Sequence, residues 1–381
     1  MIEPMPNRIT RRELALGAMA GSLLAQTKAS PENNAMLEDP RLDPVAWTRT
    51  RHASAPLRMT FNSTSRSAAE AWQKKLRAKV TELVGNFPDR KGSPAEQLIG
   101  TKDLPGYRRQ RFLLESRPGV AISAYLLTPA NATGPLPVVV CVPGHGRGAD
   151  DIVGIDENGK ERAGKPGYQH DFALQVVEAG MAAVAIEPMA FGCRRDAKTK
   201  SKGAGNSACQ PAAGAALLLG ETMIGWRVYD VMRTIDWIGT RKELDANRIG
   251  CMGISGGGTC TLFSSALDTR IKVAFVSGYL NTFRDSILSL SHCIDNYVPG
   301  ILNWAEMYDV AGLIAPRPLI AESGTRDNIF PIAASNESFA RVKKVYDVFG
   351  ASDNIQHEVF EGEHSFSGVQ GIPFLAKHLK A

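Results

Sequence analysis

The sequence predicts an α/β domain, a mostly parallel central sheet flanked by helices, with an N-terminal extension and an inserted cap segment. Three observations predict it. From Leu136 onward, short apolar runs alternate with stretches of helical periodicity, the pattern of parallel strands covered on both faces. One such run, Arg248-Ile249-Gly250-Cys251-Met252, leads through Gly253-Ile254-Ser255-Gly256-Gly257 into a helical stretch from Thr259 to Leu267. That tight strand-to-helix turn needs glycine wherever a side chain would strike the flanking elements. Lastly, Asp327 and His364 each lie just past an expected strand, so both loops are expected at the carboxyl edge of the sheet, where sites on parallel sheets open.

Taken in order, the chain begins with an expected export signal over residues 1–30. Thr10-Arg11-Arg12-Glu13-Leu14 sets paired arginines before an apolar run, Leu14 to Ala25, that is too short to span a membrane. The pair resembles a twin-arginine translocation signal, which implies a periplasmic or secreted protein. A basic N-terminal helix of a cytoplasmic protein is the alternative reading. Ser30 to Pro56 is proline-rich and weakly patterned, so it is expected to be an extended segment on the surface. Ser67 to Val84 carries apolar residues at helical spacing, and residues 31–109 together are read as an N-terminal extension with one helix.

The catalytic domain is placed at 110–381. It starts with a strand pair, Gln110 to Ser116 and Val120 to Thr128, joined by the turn signal Arg117-Pro118-Gly119. Parallel strands are expected at Val138 to Val142, Ala182 to Ile186, Arg248 to Met252, Val273 to Ser277, Pro318 to Glu322 and Gln356 to Phe360. Helices are expected at Phe172 to Ala179, Thr222 to Thr240, Ala333 to Phe349 and Val369 to Leu379. The stretch 281–315 is longer than an ordinary crossover and is the expected cap.

Composition narrows the function classes. Of 381 residues, 44% are hydrophobic and 22% charged, which gives a globular chain enough apolar material for a large core. The net charge of +5 is not gathered into a basic block, so nucleic acid is not an expected partner, and since no apolar stretch reaches membrane-spanning length neither is a membrane. Six cysteines do not make a disulfide scaffold at this length. Cys141, Cys251 and Cys260 fall in apolar elements and are expected as buried thiols. Cys193 and Cys209 bracket a small-residue stretch read as a surface loop, where an oxidising compartment would favour a bridge.

A serine hydroxyl becomes a nucleophile when an imidazole takes its proton and a carboxylate orients that imidazole. Ser255, Asp327 and His364 supply those groups in the chain order that this scaffold uses. Asp285, Asp295 and Asp309 compete less well for the acid because they fall inside the insertion, and His357 lies within an expected strand. The oxyanion needs N-H donors already in place. Gly256, after the serine, supplies one, and the His145 backbone in Gly144-His145-Gly146 is expected to supply another. His292, Tyr297, Phe191 and Trp304 either line the substrate pocket or pack the cap onto the sheet. Arg194 and Arg195 either bind an acidic substrate group or form a solvated surface.

Several strings carry a resemblance: Val142-Pro143-Gly144-His145-Gly146, Gly253-Ile254-Ser255-Gly256-Gly257-Gly258, Asn281-Thr282-Phe283-Arg284-Asp285, His292-Cys293-Ile294-Asp295-Asn296-Tyr297-Val298-Pro299-Gly300 and Ile314-Ala315-Pro316-Arg317-Pro318. From about Leu136 to its end the chain resembles the α/β-hydrolase superfamily, in its dienelactone-hydrolase and acetyl-xylan-esterase-like branch of secreted esterases. The resemblance implies a serine esterase with Ser255, Asp327 and His364 as triad, no metal or organic cofactor, and a small-molecule or carbohydrate ester as substrate. Activity is then expected to fall as His364 takes up a proton.

Two other readings stay open at this point. A peptidase of the prolyl-oligopeptidase kind shares scaffold and triad, but the stretch before the sheet is too short for the upstream propeller that those enzymes usually carry. A non-catalytic binding protein could use the same scaffold. A metal hydrolase is a weaker third reading, since no His-rich helical spacing appears.

Overall fold

A computed structural model describes residues 39–89 and 92–380. The expected export signal lies outside the described residues. The described residues fall into two compact units, 39–54 and 55–380 without 90 and 91. In the first, Pro44–Ala53 forms helix α1, started by Asp43, whose carboxylate accepts from the N-H groups of Val45 and Ala46. The extended segment expected there is therefore helical in its second half. Proline-richness misled the reading, because Pro44 sits at the first helical position, where its missing N-H costs nothing.

In the second unit Arg66–Leu83 forms helix α2. Strands β1 (Glu96–Leu104), β2 (Tyr107–Arg117) and β3 (Val120–Pro129) make an antiparallel meander. Strand β1 is exposed along nearly its whole length, so it lacks the alternation that marks a half-buried strand and the sequence does not announce it. Then follow β4 (Leu136–Val142), helix α3 (Phe172–Glu178), β5 (Ala182–Ile186), the short helices α4 (Ala197–Lys200) and α5 (Cys209–Leu218), and helix α6 (Met223–Ile238). Strand β6 (Leu244–Ile254) runs into helix α7 (Gly256–Leu267), and β7 (Ile271–Ser277) leads to α8 (Met307–Gly312). The chain closes with β8 (Leu319–Gly324), α9 (Ile332–Val348), β9 (Ile355–Phe360) and α10 (Gly371–Lys380).

All nine strands join one sheet in the order β1-β2-β3-β5-β4-β6-β7-β8-β9. The pairs from β5 through β9 are parallel, and β3 joins β5 antiparallel. Because β4 is buried on both faces, its side chains alternate between two cores. Val139 and Cys141 pack with α3 and α10, whereas Val138, Val140 and Val142 pack with Val231, Ile235 and Trp237 of α6. The direction of winding reverses between β4 and β6, and parallel sheets open a crevice at the strand ends there.

The expected cap holds two short 3-10 turns and α8. It is anchored from below by the N-terminal extension. Gln73 of α2 donates to the carbonyls of Gly312 (3.0 Å) and Ala315 (2.7 Å), and the Met59 N-H donates to Trp304. Among the described residues no helix is long and apolar enough to cross a membrane.

Candidate active site

Strand β6 delivers Ser255 to the reversal point with φ 57° and ψ −122°, a conformation that a non-glycine residue adopts only when its surroundings enforce it. The neighbours show how. A Cβ at Gly257 would overlap the Val142 carbonyl, and one at Gly253 would overlap both that carbonyl and Gly257. Absence of side chains at these two positions lets β6, β4 and α7 close around the turn. The Ser255 N-H is then held by the Ser277 carbonyl of β7 at 3.1 Å, and the N-terminus of α7 faces the hydroxyl.

The loop after β8 carries Asp327, almost fully buried. Its Oδ1 accepts from the N-H groups of Ile329 (2.8 Å) and Phe330 (2.9 Å), which fixes the carboxylate and turns Oδ2 to His364 Nδ1 at 2.7 Å. The loop after β9 carries that histidine. The two loops are zipped together by Thr325 N-H to the Phe360 carbonyl and Arg326 N-H to the Gly362 carbonyl. Glu322, at the end of β8, holds the far side of the histidine loop by accepting from the N-H groups of Ser367 and Gly368 and from the Ser277 hydroxyl. Burial pushes this carboxyl up to about 7, against the pull of those donors.

The imidazole of His364 is stacked between Tyr168 and Phe330, with ring centroids at 5.7 and 5.6 Å. Its Nε2 is shielded from solvent and has no hydrogen-bond partner. The Ser255 side chain and the Tyr168 hydroxyl both lie against Gly144, and that hydroxyl donates to the His145 carbonyl at 2.7 Å. Thus the structure joins His364 to Asp327 directly, and brings Ser255 to the same rim without a direct bond to the imidazole. Tyr168 was not found by sequence reasoning, and no motif marks it, since it sits in an irregular loop 23 residues beyond the turn that it braces.

That turn, Gly144-His145-Gly146, ends β4. It is pinned on both sides of His145, by Gly144 N-H to Gln169 Oε1 and Arg147 N-H to Asp151 Oδ2, each 2.8 Å. Gly256 lies against it so closely that a Cβ there would sit 3.2 Å from His145 Nδ1. Glu187, buried at the end of β5 and pushed by burial up to about 7, accepts from the Ala149 N-H and links this turn to the next loop.

The residues expected to touch substrate divide. His292 faces Phe330 and bonds Asn296 through Nδ1 at 3.1 Å, and burial lowers its pKa toward the neutral ring. Phe191 is buried between the His145 ring and the Arg227 guanidinium. Tyr297 donates to the Ile287 carbonyl, and Trp304 lies under Arg58 and Lys79, so both pack the insertion. Arg194 and Arg195 are also spoken for. Arg194 pairs with buried Asp230 at 2.6 Å, and Arg195 caps the carbonyls of Gly192, Gly203 and Asn206, neither the acid-binding nor the solvated role expected of them.

All six cysteines are free, with Cys141, Cys251 and Cys260 buried in the sheet and in α7. The bridge expected between Cys193 and Cys209 is not formed; Cys209 begins α5 with its sulfur among His145, Asp295 and Cys293 instead. His145, Cys209, Cys293 and Asp295 form the one group among the described residues whose donors could gather round a metal ion. Burial pushes the Asp295 carboxyl up, but Arg227 and His145 outweigh it and hold it well below the usual carboxylate range.

With this geometry in hand, comparison with known proteins gives the family. The profile of the Abhydrolase family matches residues 53–364. The chain belongs to the Abhydrolase family. YtaP of Bacillus subtilis (strain 168), provisionally named a hydrolase, is 26% identical over 286 residues, covering 73% of this chain and 89% of its own. Among solved structures, a Bacteroides fragilis NCTC 9343 protein provisionally named an acetyl xylan esterase superposes with a TM-score of 0.72 at 24% identity, covering 84% of this chain and 82% of its own. A glucuronoyl esterase from Solibacter usitatus gives 0.62 at 15% identity, covering 86% and 97%. The family match establishes an α/β-hydrolase, and the superpositions share its fold.

Proposed function

We propose that this protein is an exported serine carboxylic-ester hydrolase that works through an acyl-enzyme. The observation that carries the reading is His364, held by Asp327 on one ring nitrogen and left with an unpartnered, solvent-shielded Nε2 on the other. Such a buried acceptor is costly unless a donor comes to it. The Ser255 hydroxyl at the same rim is that donor once it turns from Tyr168.

In the forward half-reaction the Ser255 oxygen attacks the ester carbonyl carbon while His364 Nε2 takes the hydroxyl proton. Asp327 keeps the proton of His364 on Nδ1 and stabilises the imidazolium. The N-H groups of Gly256 and His145 receive the negative oxygen; a donor of this kind is worth roughly 3 to 4 kcal/mol to the transition state. His364 then protonates the leaving alcohol. In the second half, water attacks the acyl carbon, His364 takes the water proton and returns it to Ser255, and the acid departs.

The substrate class we assign is an ester carried on carbohydrate, an acetyl ester among the first to test. The names of the solved relatives, acetyl xylan esterase and glucuronoyl esterase, support that choice, as does the expected export signal. A screen of purified protein against acetyl, feruloyl, methyl-uronate and lactone esters, with Ser255→Ala as blank, tests it. Hydrolysis of at least one class, absent in the blank, is expected. Cleavage of a proline-containing peptide amide with no ester turnover would transfer the site to the peptidase reading.

A further inference from the structure

The ester mechanism leaves one buried cluster without a task. Behind the β4 turn, His145 Nε2 lies 3.8 Å from Cys209 Sγ and 3.6 Å from Asp295 Oδ2, and Cys209 Sγ lies 3.4 Å from that same oxygen. Cys293 Sγ completes the group, and all four donor atoms fall within 4.8 Å of one another. We propose that His145, Cys209, Cys293 and Asp295 form a four-ligand site for a thiophilic divalent cation of the zinc class.

Geometry is the first argument. Metal-to-donor bonds of about 2.0 to 2.3 Å set tetrahedrally give donor-to-donor edges of about 3.3 to 3.8 Å. The three measured edges occupy that range. Donor type is the second. Two sulfurs, an imidazole nitrogen and one carboxylate oxygen favour zinc over magnesium or calcium, which take all-oxygen shells.

Charge is the third. Two thiolates and the Asp295 carboxylate carry three negative charges, and Arg227, 2.5 Å from Asp295 Oδ2 and 3.4 Å from Cys209 Sγ, offsets one. A divalent cation brings the sum to zero, and its binding releases the two thiol protons to solvent. The surrounding groups also behave as supports for ligands. Arg227 is clamped by the Met189 carbonyl at 2.8 Å, and Asn296 donates to Asp295 Oδ1 at 2.8 Å while accepting from the Thr259 hydroxyl of α7. Cys209 and Asp295 are buried, whereas the His145 side chain is 32% exposed and gives an ion a way in.

Four protein donors close the shell, so the ion holds structure and takes no part in the chemistry. It would tie the β4 turn, α5 and the insertion together through His145. Any consequence for turnover rests on the esterase reading; binding of the ion does not.

The test uses the full chain, reduced and freed of metal with a chelator, then titrated with Co²⁺ without oxygen. Thiolate-to-cobalt charge-transfer bands and the intense visible bands of a tetrahedral ion are expected, saturating at one equivalent and erased by Zn²⁺. Cys209→Ser and Cys293→Ser should weaken or abolish the charge-transfer bands, while Cys193→Ser and Ser255→Ala keep them, whatever the ester assay shows. Folded wild-type protein that gives only the weak octahedral spectrum with excess cobalt overturns the proposal without reliance on any variant. So does recovery of a Cys209–Cys293 disulfide as the form exported by cells.

Discussion

Ser255, Asp327 and His364 have unequal freedom, and the difference decides what each substitution should do. Asp327 is fixed by two backbone donors and by His364, so Asp327→Asn keeps the loop but offers the imidazole the wrong tautomer. Ester turnover should fall by about 10⁴-fold with the melting temperature little changed, checked by steady-state kinetics and calorimetry. Ser255 instead lies across Gly144 from Tyr168, which braces the His145 carbonyl. Tyr168→Phe removes that brace, and kcat should drop roughly three- to tenfold with KM unchanged, as expected for loss of a positioning bond. At this scale the sequence pointed to Ser255, Asp327 and His364 as the proposed nucleophile, acid and base, because such a set leaves an ordered signature past successive strands. It could not show Tyr168, Glu322 or Arg227, whose roles arise only when loops from distant strands meet, and it overread Arg194, whose buried partner Asp230 lies 36 residues away.

Among elements, the loops after β8 and β9 act as one unit. Gly324 is the point of closest approach, where a Cβ would overlap the Glu363 carbonyl next to His364. Gly324→Ala should therefore destabilise the fold by about 2 to 3 kcal/mol and lower turnover beyond what the folded fraction explains, read from urea unfolding beside activity. The central parallel strands β4, β5 and β7 were legible because each is a mostly apolar run buried on both sides, whereas β9, at the edge of the sheet, carries Gln356, His357 and Glu358. Strand β1 was not, since it is an exposed edge, nor was α5, whose small-residue sequence shows no amphipathic stripe. The insertion was recognised by its length alone. Its anchoring by Gln73 depends on a helix more than two hundred residues earlier in the chain, which no local pattern could reveal.

Across the whole molecule, two buried carboxyls, Glu187 and Glu322, stitch strand ends to the loops that follow the Gly144-His145-Gly146 turn and His364. Burial raises both to about 7, from about 4.5 in an unfolded chain. Each binds its proton more tightly when folded, so the stabilisation is complete below about pH 4.5 and is lost as pH rises through about 7. The contribution is on the order of 3 kcal/mol per group. Melting temperatures should therefore decline between pH 5 and pH 8, and Glu322→Gln should flatten part of that slope; a wild-type midpoint that does not change over the interval would contradict it.

The most direct measurement is intact-mass and peptide mapping after reaction with a fluorophosphonate. The account predicts one adduct, on Ser255, formed rapidly by the wild-type chain and lost or greatly slowed in His364→Ala. A folded wild-type chain that acquires no adduct, or carries it on another residue, would contradict it.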